Sequence, residues 1–181
     1  MRTRIIPAIF VMAAMTLSSC VKEKLEVTYN GQESKISTYI ENELKKNNEY
    51  TVEYLSGSNR LTRKQGEGEA LGKNGTVTFY YAGYTFNGNV VSTAMFASNH
   101  EATVANAGWE LTDIDLQPLT VNLKENDLVE GLRNGLEGVK GGQECEIVFS
   151  GKYGFGNSTF GIIPANSALL YKIWVISVSN D

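Results

Sequence analysis

The apolar residues of Gln32–Asn47 recur at helical spacing, at positions Ile36, Tyr39, Ile40 and Leu44. Residues three or four positions apart lie on one side of an α-helix, so this pattern predicts an amphipathic helix. Its apolar stripe is narrow, which indicates packing against a neighbouring body. The polar segment Val21–Asn30 before it is predicted to be a tether.

From Tyr50 onward apolar and polar residues alternate, which indicates β-strands. The predicted strands are Tyr50–Leu55, Arg60–Lys64, Thr76–Phe86, Asn89–Thr93, Leu119–Leu123, Gln143–Ser150 and Ser167–Val178. Asn87-Gly88 is a favoured two-residue turn, so Thr76–Phe86 and Asn89–Thr93 are predicted to form a hairpin. The long segment Ala94–Gln117 has no clear periodicity.

One short helix is predicted among these strands, at Asp127–Gly138. Three leucines fall on one face of it, at Leu128, Leu132 and Leu136. Asp127 and Glu130 have the spacing of a capping box at its start. Gly131 and Gly135 are costly inside an exposed helix, which indicates close contact with a sheet. Strands around one central helix predict an antiparallel α+β domain.

The first residues have the pattern of an export signal. Arg2 and Arg4 precede an apolar stretch that is too short to span a bilayer. The ending Leu17-Ser18-Ser19-Cys20 resembles the lipobox of bacterial lipoproteins, in which the cysteine is lipidated and becomes the mature N-terminus. The resemblance implies a signal peptide at 1–19 and a lipid anchor at Cys20. A plain secretory signal is the alternative.

Composition limits the remaining chemistry. The 181 residues can build one sizeable core, and the formal net charge of −4 without a basic stripe argues against nucleic-acid binding. Lipidated Cys20 leaves Cys145 without a disulfide partner, so Cys145 is predicted to be a small buried hydrophobe. His100, the one histidine, is predicted to be solvated in a polar loop. We expect neither a metal ion nor another cofactor.

Four motifs follow one another along the chain: V-T-F-Y-Y-A-G-Y-T-F-N-G, L-V-E-G-L-R-N-G-L-E-G-V-K-G-G-Q, Y-G-F-G and G-I-I-P-A-N-S-A-L-L-Y. In this order they resemble the FKBP-type peptidyl-prolyl isomerases, over Ser58–Asp181. The resemblance implies an FKBP-like antiparallel sheet wrapped around the short helix. Residues 20–57 then hold the tether, the amphipathic helix and a leading strand. It also implies peptidyl-prolyl cis-trans isomerase activity on proline-containing polypeptides, without a cofactor.

The motif matches imply a set of pocket residues. Tyr81 matches the aromatic residue of the pocket wall, and Tyr171 stands where the family usually has phenylalanine at the floor. Val129 matches the residue whose backbone N–H binds a substrate carbonyl. Ile163 matches the aliphatic residue on the loop before the last strand.

Other positions depart from the family pattern. Val91-Ser92 replaces the family's adjacent phenylalanine and aspartate, Leu132 replaces a tryptophan, and Phe155 replaces a tyrosine. These changes predict weak activity. The connection 94–117 is longer than the family's, and loops of this length are usually functional or disordered. Its aromatic residues, Phe96 and Trp109, either cover the pocket or only anchor the loop.

The leading functional hypothesis is a lipid-anchored isomerase or folding helper in the cell envelope, on the periplasmic or cell-surface side, acting on exported proteins. The alternative is a non-catalytic FKBP-like module that binds peptides or a partner. A third interpretation is a lipoprotein whose helix Gln32–Asn47 docks onto a larger assembly.

Overall fold

The fold is taken from a computed structural model that describes residues 8–125 and 128–181, with side chains from residue 22 onward. Helix α1 spans Ala8–Lys46, and the short helices are α2 (Glu101–Asn106) and α3 (Glu130–Leu136). The strands of the described residues are β1 (Thr51–Leu55), β2 (Ser58–Lys64), β3 (Thr76–Thr85), β4 (Met95–Ser98), β5 (Leu119–Asn122), β6 (Glu144–Phe149) and β7 (Leu169–Ser179). The predicted antiparallel α+β architecture is confirmed.

The strands form one antiparallel sheet in the order β1-β2-β6-β7-β3-β4, and β5 pairs with β3 beside β4. Strand β7 is central, because it pairs with β3 along Thr85–Thr76 and with β6 along Phe149–Glu144. Helix α3 packs against β6. Side chains at Gly131 and Gly135 would collide with Phe149 and Ile147, which explains the two glycines inside this helix.

Both faces of the sheet are covered, and the side chains of β6 show why. Ile147 and Phe149 belong to the core on the α3 face, whereas Val148 between them belongs to the core under α1. Burial of each such side chain contributes about 1.5–3 kcal/mol. The end of β6, residues 147–149, is therefore apolar at every position, because both faces of the sheet are covered there.

Helix α1 docks on the sheet through the predicted apolar stripe. Ile36, Tyr39 and Ile40 are buried there. The Tyr39 hydroxyl donates to Glu146 Oε2 at 2.7 Å, and Arg63 of β2 bonds both Glu146 and Glu43 of α1, at 2.9 and 2.8 Å. Burial and then the Glu146 carboxylate raise the pKa of Tyr39, so its hydroxyl stays protonated as a donor.

Helix α1 begins well before the predicted Gln32. Val21–Asn30 was predicted to be a tether, but its backbone is helical. Contacts with the domain extend along this part of the helix, since the Tyr29 hydroxyl donates to Asn166 Oδ1 at 2.7 Å. No helix among the described residues has a stretch long and apolar enough to cross a membrane.

The predicted hairpin after β3 is wrong. Asn89–Thr93 does not form a strand, and the strand that pairs with β3 in its place is β4, with Gly83 opposite Ala97. The chain leaving β3 is held by other elements: the Phe86 N–H donates to the Ala168 carbonyl at 2.8 Å, and Lys35 Nζ of α1 bonds Asn87 Oδ1 at 2.5 Å.

Helix α3 starts later than predicted. It begins at Glu130, and Val129 at its N-cap makes no side-chain capping bond. The predicted cap at Asp127 and the predicted lipid-bearing thiol of Cys20 lie outside the described residues. The helix exits at Gly138, whose φ of 87° suits glycine, as predicted.

Candidate active site

A cavity of about 310 Å³ opens between the sheet and the loop Gly151–Asn166, beside α3. Six aromatic rings line it, from Phe79, Tyr81, Phe96, Phe155, Phe160 and Tyr171. Aliphatic side chains complete its surface, from Leu119, Leu128, Leu132, Ile162 and Ile163. No charged side chain of the described residues is among those that line it.

The sheet supplies the wall and floor of this cavity. Phe79 and Tyr81 are two positions apart on β3 and therefore point to the same face. Their ring centroids are 6.3 Å apart, and the Tyr81 ring lies 6.4 Å from that of Tyr171 on β7. Phe149 stacks behind Tyr171 at 6.0 Å. Tyr81 and Tyr171, predicted from the motifs, thus lie together as wall and floor.

Val91 lies outside the cavity, which corrects its assignment as a pocket position. It is 50% exposed and directly precedes the 3₁₀ turn Ser92–Ala94. The ring that β4 brings to the wall is that of Phe96, 5.7 Å from Tyr171 and edge-on to it. Phe96 was predicted as an aromatic residue of the long connection, without a place in the wall. The sequence offered little to place it, because Phe96 is an isolated aromatic residue in a segment without clear periodicity.

The loop Gly151–Asn166 forms the outer wall. Phe155 stacks on Phe160 with 4.5 Å between the ring centroids and 4° between the ring planes. Ile163 is buried, whereas Phe160 and Ile162 are 61% and 76% exposed. The cavity therefore has a solvent-exposed apolar rim on this loop, and Phe155 and Ile163 lie where the motifs placed them.

Helix α3 brings the remaining predicted residues. Leu132 is buried and lines the cavity from the first turn. Val129 is half-buried and packs against the same core, but its side chain is not part of the lining. Among the described residues, no acceptor pairs with the Val129 N–H.

Among the described residues of the lining, the hydrogen-bonding side-chain groups are two phenolic hydroxyls. Burial raises the pKa of Tyr81, and burial followed by the proximity of Tyr81 raises the pKa of Tyr171. Both rings are therefore neutral donors at physiological pH. Ser92, at the position of the family's aspartate, is exposed and lies away from this cavity.

Trp109 of the long connection 94–117 does not cover the cavity, so the hypothesis that its ring folds over the pocket is wrong. Trp109 packs on the opposite face of the sheet, against the core under α1. The connection also has secondary structure of its own, in β4 and α2. His100, predicted to be solvated, stacks on Trp174 with 3.8 Å between ring centroids.

An antiparallel sheet packed on one short helix, with an uncharged aromatic cavity beside that helix, defines a class of domains with a site for an apolar ligand. The chain belongs to the FKBP-type peptidyl-prolyl cis-trans isomerase family, whose model matches residues 67–176. Within the described residues, no group of three His, Cys, Asp or Glu side chains could hold a metal ion.

Curated relatives and solved structures agree with this family. The chain is 29% identical over 126 residues to the FKBP-type peptidyl-prolyl cis-trans isomerase FkpA of Buchnera aphidicola subsp. Schizaphis graminum, covering 69% of this chain and 42% of that protein. It is 23% identical to FK506-binding protein 1 of Aspergillus oryzae, covering 66% of this chain and 94% of that protein. The chain thus spans less than half the length of the FkpA relative.

Solved structures of low identity share the fold. FkpA from Escherichia coli superposes with a TM-score of 0.56 at 20% identity, over 98% of this chain and 75% of that one. The FKBP domains of wheat FKBP73 superpose with a TM-score of 0.57 at 21% identity, over 73% of this chain and 52% of that one.

Proposed function

We propose that this chain catalyses cis–trans isomerisation of X–Pro bonds at the cavity between Tyr81 and Tyr171. The observation that carries the proposal is the uncharged, aromatic lining of a cavity formed by the family's own motifs. A proline ring is apolar and fits such a surface. Isomerisation breaks no σ bond and needs no nucleophile or metal ion.

The mechanism follows from the barrier to rotation. The planar X–Pro imide is stabilised by resonance, and twisting it costs about 18–20 kcal/mol. A twisted imide has a less polar carbonyl than the planar form and needs less solvation by water. An apolar cavity therefore favours the twisted state over the planar state, which lowers the barrier.

Groups at the cavity edge orient the peptide in this proposal. The Val129 N–H donates to a substrate carbonyl, the role that the family motif assigns to this position. The hydroxyls of Tyr81 and Tyr171 have no hydrogen-bond partner among the described residues and can donate to a second peptide carbonyl. Leu132, Phe155 and Ile163 hold the proline ring by apolar contact.

The lack of charge favours one alternative, a non-catalytic peptide-binding module. Val91 and Ser92 lie off the cavity, and no other carboxylate of the described residues takes the place of the family's aspartate. Such a cavity would bind proline peptides without accelerating their isomerisation. Turnover and binding must therefore be measured separately.

The proposed location is the cell envelope. The sequence Leu17-Ser18-Ser19-Cys20 after Arg2 and Arg4 supports lipidation of Cys20, and two or three acyl chains anchor a protein stably. From there the domain would act as a folding helper on exported proteins. Cys20→Ser should abolish the lipid mass and normal signal processing, and an unlipidated parent would contradict the anchor.

The deciding experiment is an isomerisation assay on a set of proline peptides, using the chain from Val21 onward. We expect turnover that Tyr171→Leu lowers strongly and that Ser92→Ala, an exposed change off the cavity, leaves unchanged. Binding of the same peptides without turnover would favour the non-catalytic module. If the chain shows no binding and no turnover, both proposed functions are contradicted.

A further inference from the structure

The two ends of the cavity loop Gly151–Asn166 touch each other. The backbone of Gly151 lies so close to the Asn166 carbonyl that no Cβ would fit there. Between these ends the loop carries Phe155, Phe160 and Ile163, which line the cavity. The geometry at the loop base therefore determines where this wall stands.

One side chain of α1 bonds both ends of the loop. Gln32 Oε1 accepts a hydrogen bond from the Gly151 N–H at 2.9 Å. Gln32 Nε2 donates to the Asn166 carbonyl at 2.6 Å. A single primary amide has one acceptor and one donor group in a plane, so it can hold two backbone groups at once. Gln32 uses both of them on the loop base.

The same helix also holds the side chain of Asn166. Tyr29, three positions before Gln32, donates its hydroxyl to Asn166 Oδ1 at 2.7 Å. Asn166 has a φ of 59°, and its N–H bonds the Gly156 carbonyl inside the loop at 2.6 Å. Among non-glycine residues, asparagine is one of the few that adopt this left-handed conformation readily, and here hydrogen bonds hold its backbone and side chain. Helix α1 supplies two of those contacts.

We propose that Gln32 is a positioning residue, through which α1 sets the place of the cavity wall formed by Gly151–Asn166. This inference rests on the proposed function, because the wall matters only to a bound peptide. We call the two hydrogen bonds from Gln32 to Gly151 and Asn166 the clamp. Without the clamp the loop base is free to move, so a peptide must order the cavity wall when it binds. Movement of α1 against the domain would regulate peptide binding by the same route.

The clamp is separable from the docking of α1. Ile36, Tyr39 and Ile40 anchor the helix to the sheet one to two turns further on, through contacts that do not involve the loop. Removing the Gln32 amide therefore leaves the helix docked. Tyr39→Phe is the matched control, because it also deletes hydrogen bonding between α1 and the domain but leaves the loop base intact.

The test compares Gln32→Ala and Tyr39→Phe in the full chain. Hydrogen exchange of peptides covering 151–166 should be several-fold faster in Gln32→Ala and unchanged in Tyr39→Phe. The KM for a proline peptide should rise at least roughly fivefold in Gln32→Ala, because both hydrogen bonds to the loop base are lost, with kcat nearly unchanged. Gln32→Glu, which keeps the acceptor and loses the donor, should change both quantities in the same direction.

Parent-like loop exchange and KM in Gln32→Ala and Gln32→Glu would overturn the proposal. Equal changes in Tyr39→Phe would overturn it as well, because the effect would then follow helix docking in general. Failure of the proposed function gives a different result. In that case the parent shows no turnover, while loop exchange still responds to Gln32→Ala.

Discussion

The ring of Phe96 meets the ring of Tyr171 edge-on, with 5.7 Å between their centroids. Gly83 lies beneath both rings, and a Cβ there would stand 2.6 Å from Phe96 and 3.1 Å from Tyr171. The glycine of β3 therefore makes room for an aromatic ring that β4 supplies. This contact joins the long connection after β3 to the floor of the cavity.

Phe96→Ala should weaken the binding of proline peptides about tenfold. An aromatic pair contributes about 0.5–1.5 kcal/mol beyond area burial, and about 1.4 kcal/mol corresponds to a factor of ten. Titration of a fluorescent proline peptide measures the affinity. Trp109→Ala is the control, since it removes a ring of the same connection from the opposite face. Equal losses in both variants would contradict a direct role for Phe96.

Phe155→Tyr should change turnover by no more than roughly tenfold, because the new hydroxyl can add one net hydrogen bond of about 1 kcal/mol. The stack with Phe160 is retained, so thermal stability should stay within about 0.5 kcal/mol of the parent. Ser92→Asp should leave turnover unchanged, since this exposed position lies off the cavity. A large response to Ser92→Asp would show that the reacting bond sits elsewhere.

Leu132→Trp should place a fluorescent reporter inside the cavity. Its emission should shift when a proline peptide binds, while the parent, whose Trp109 and Trp174 pack against the other core, should show no shift. Overpacking at this buried position should cost about 1–3 kcal/mol of unfolding free energy. A peptide-dependent shift in the parent would mean that the long connection does reach the ligand.

Acid should loosen the contact between α1 and the sheet. Burial of Glu43 favours its neutral form, but hydrogen bonds from Lys46 and Arg63 outweigh this and hold its pKa below the usual 4.5. Because the pKa of Glu43 is lower in the folded state, its charged carboxylate stabilises the fold at pH values above 4.5. This contribution is lost as the pH falls through the lower pKa of the folded state. Thermal unfolding from pH 7 to pH 3 should therefore show a steeper loss in the parent than in Glu43→Gln. Parallel curves would contradict this role.

Asn99→Ala should cost about 1–3 kcal/mol of stability, because it removes two hydrogen bonds to partly buried backbone groups, each worth about 0.5–1.5 kcal/mol. Asn99 Oδ1 accepts from the Tyr81 N–H at 2.6 Å, and its amide donates to the Gln117 carbonyl at 2.9 Å. Asn99→Asp keeps the acceptor and should cost less. Denaturant unfolding measures both variants, and parent-like stability of Asn99→Ala would show that water replaces these bonds.

Local motifs were enough to predict much of the cavity. Tyr81, Leu132 and Tyr171 lie in segments whose strand or helix period determines which face each side chain takes, and the structure brings these three residues together. Phe96 could not be assigned in this way. Its position depends on the pairing of β4 with β3. The irregular segment between these strands, which includes Asn87 and Ser92, is held by contacts with distant elements such as α1.

The clamp at Gln32 was also beyond prediction from the sequence. Gln32 and Asn166 are 134 positions apart. A glutamine on the polar face of a predicted helix gives no indication of which residue it will bond. The extent of α1 was missed for a related reason. The stripe of Ile36 and Ile40 marks only the part of the helix that packs on the sheet, whereas Tyr29 docks by a single polar contact.

If Cys20 carries the proposed lipid, the continuous helical backbone of α1 would act as a spacer between the lipid and the domain. A helix rises about 1.5 Å per residue, so the stretch from Cys20 to Tyr29, where contact with the domain begins, is roughly 14 Å long. A lipid at Cys20 would hold the cavity within about one domain diameter of the bilayer. The rate of encounter with client chains would then depend on the concentration of clients in the thin layer beside the membrane, rather than on their average concentration in the compartment.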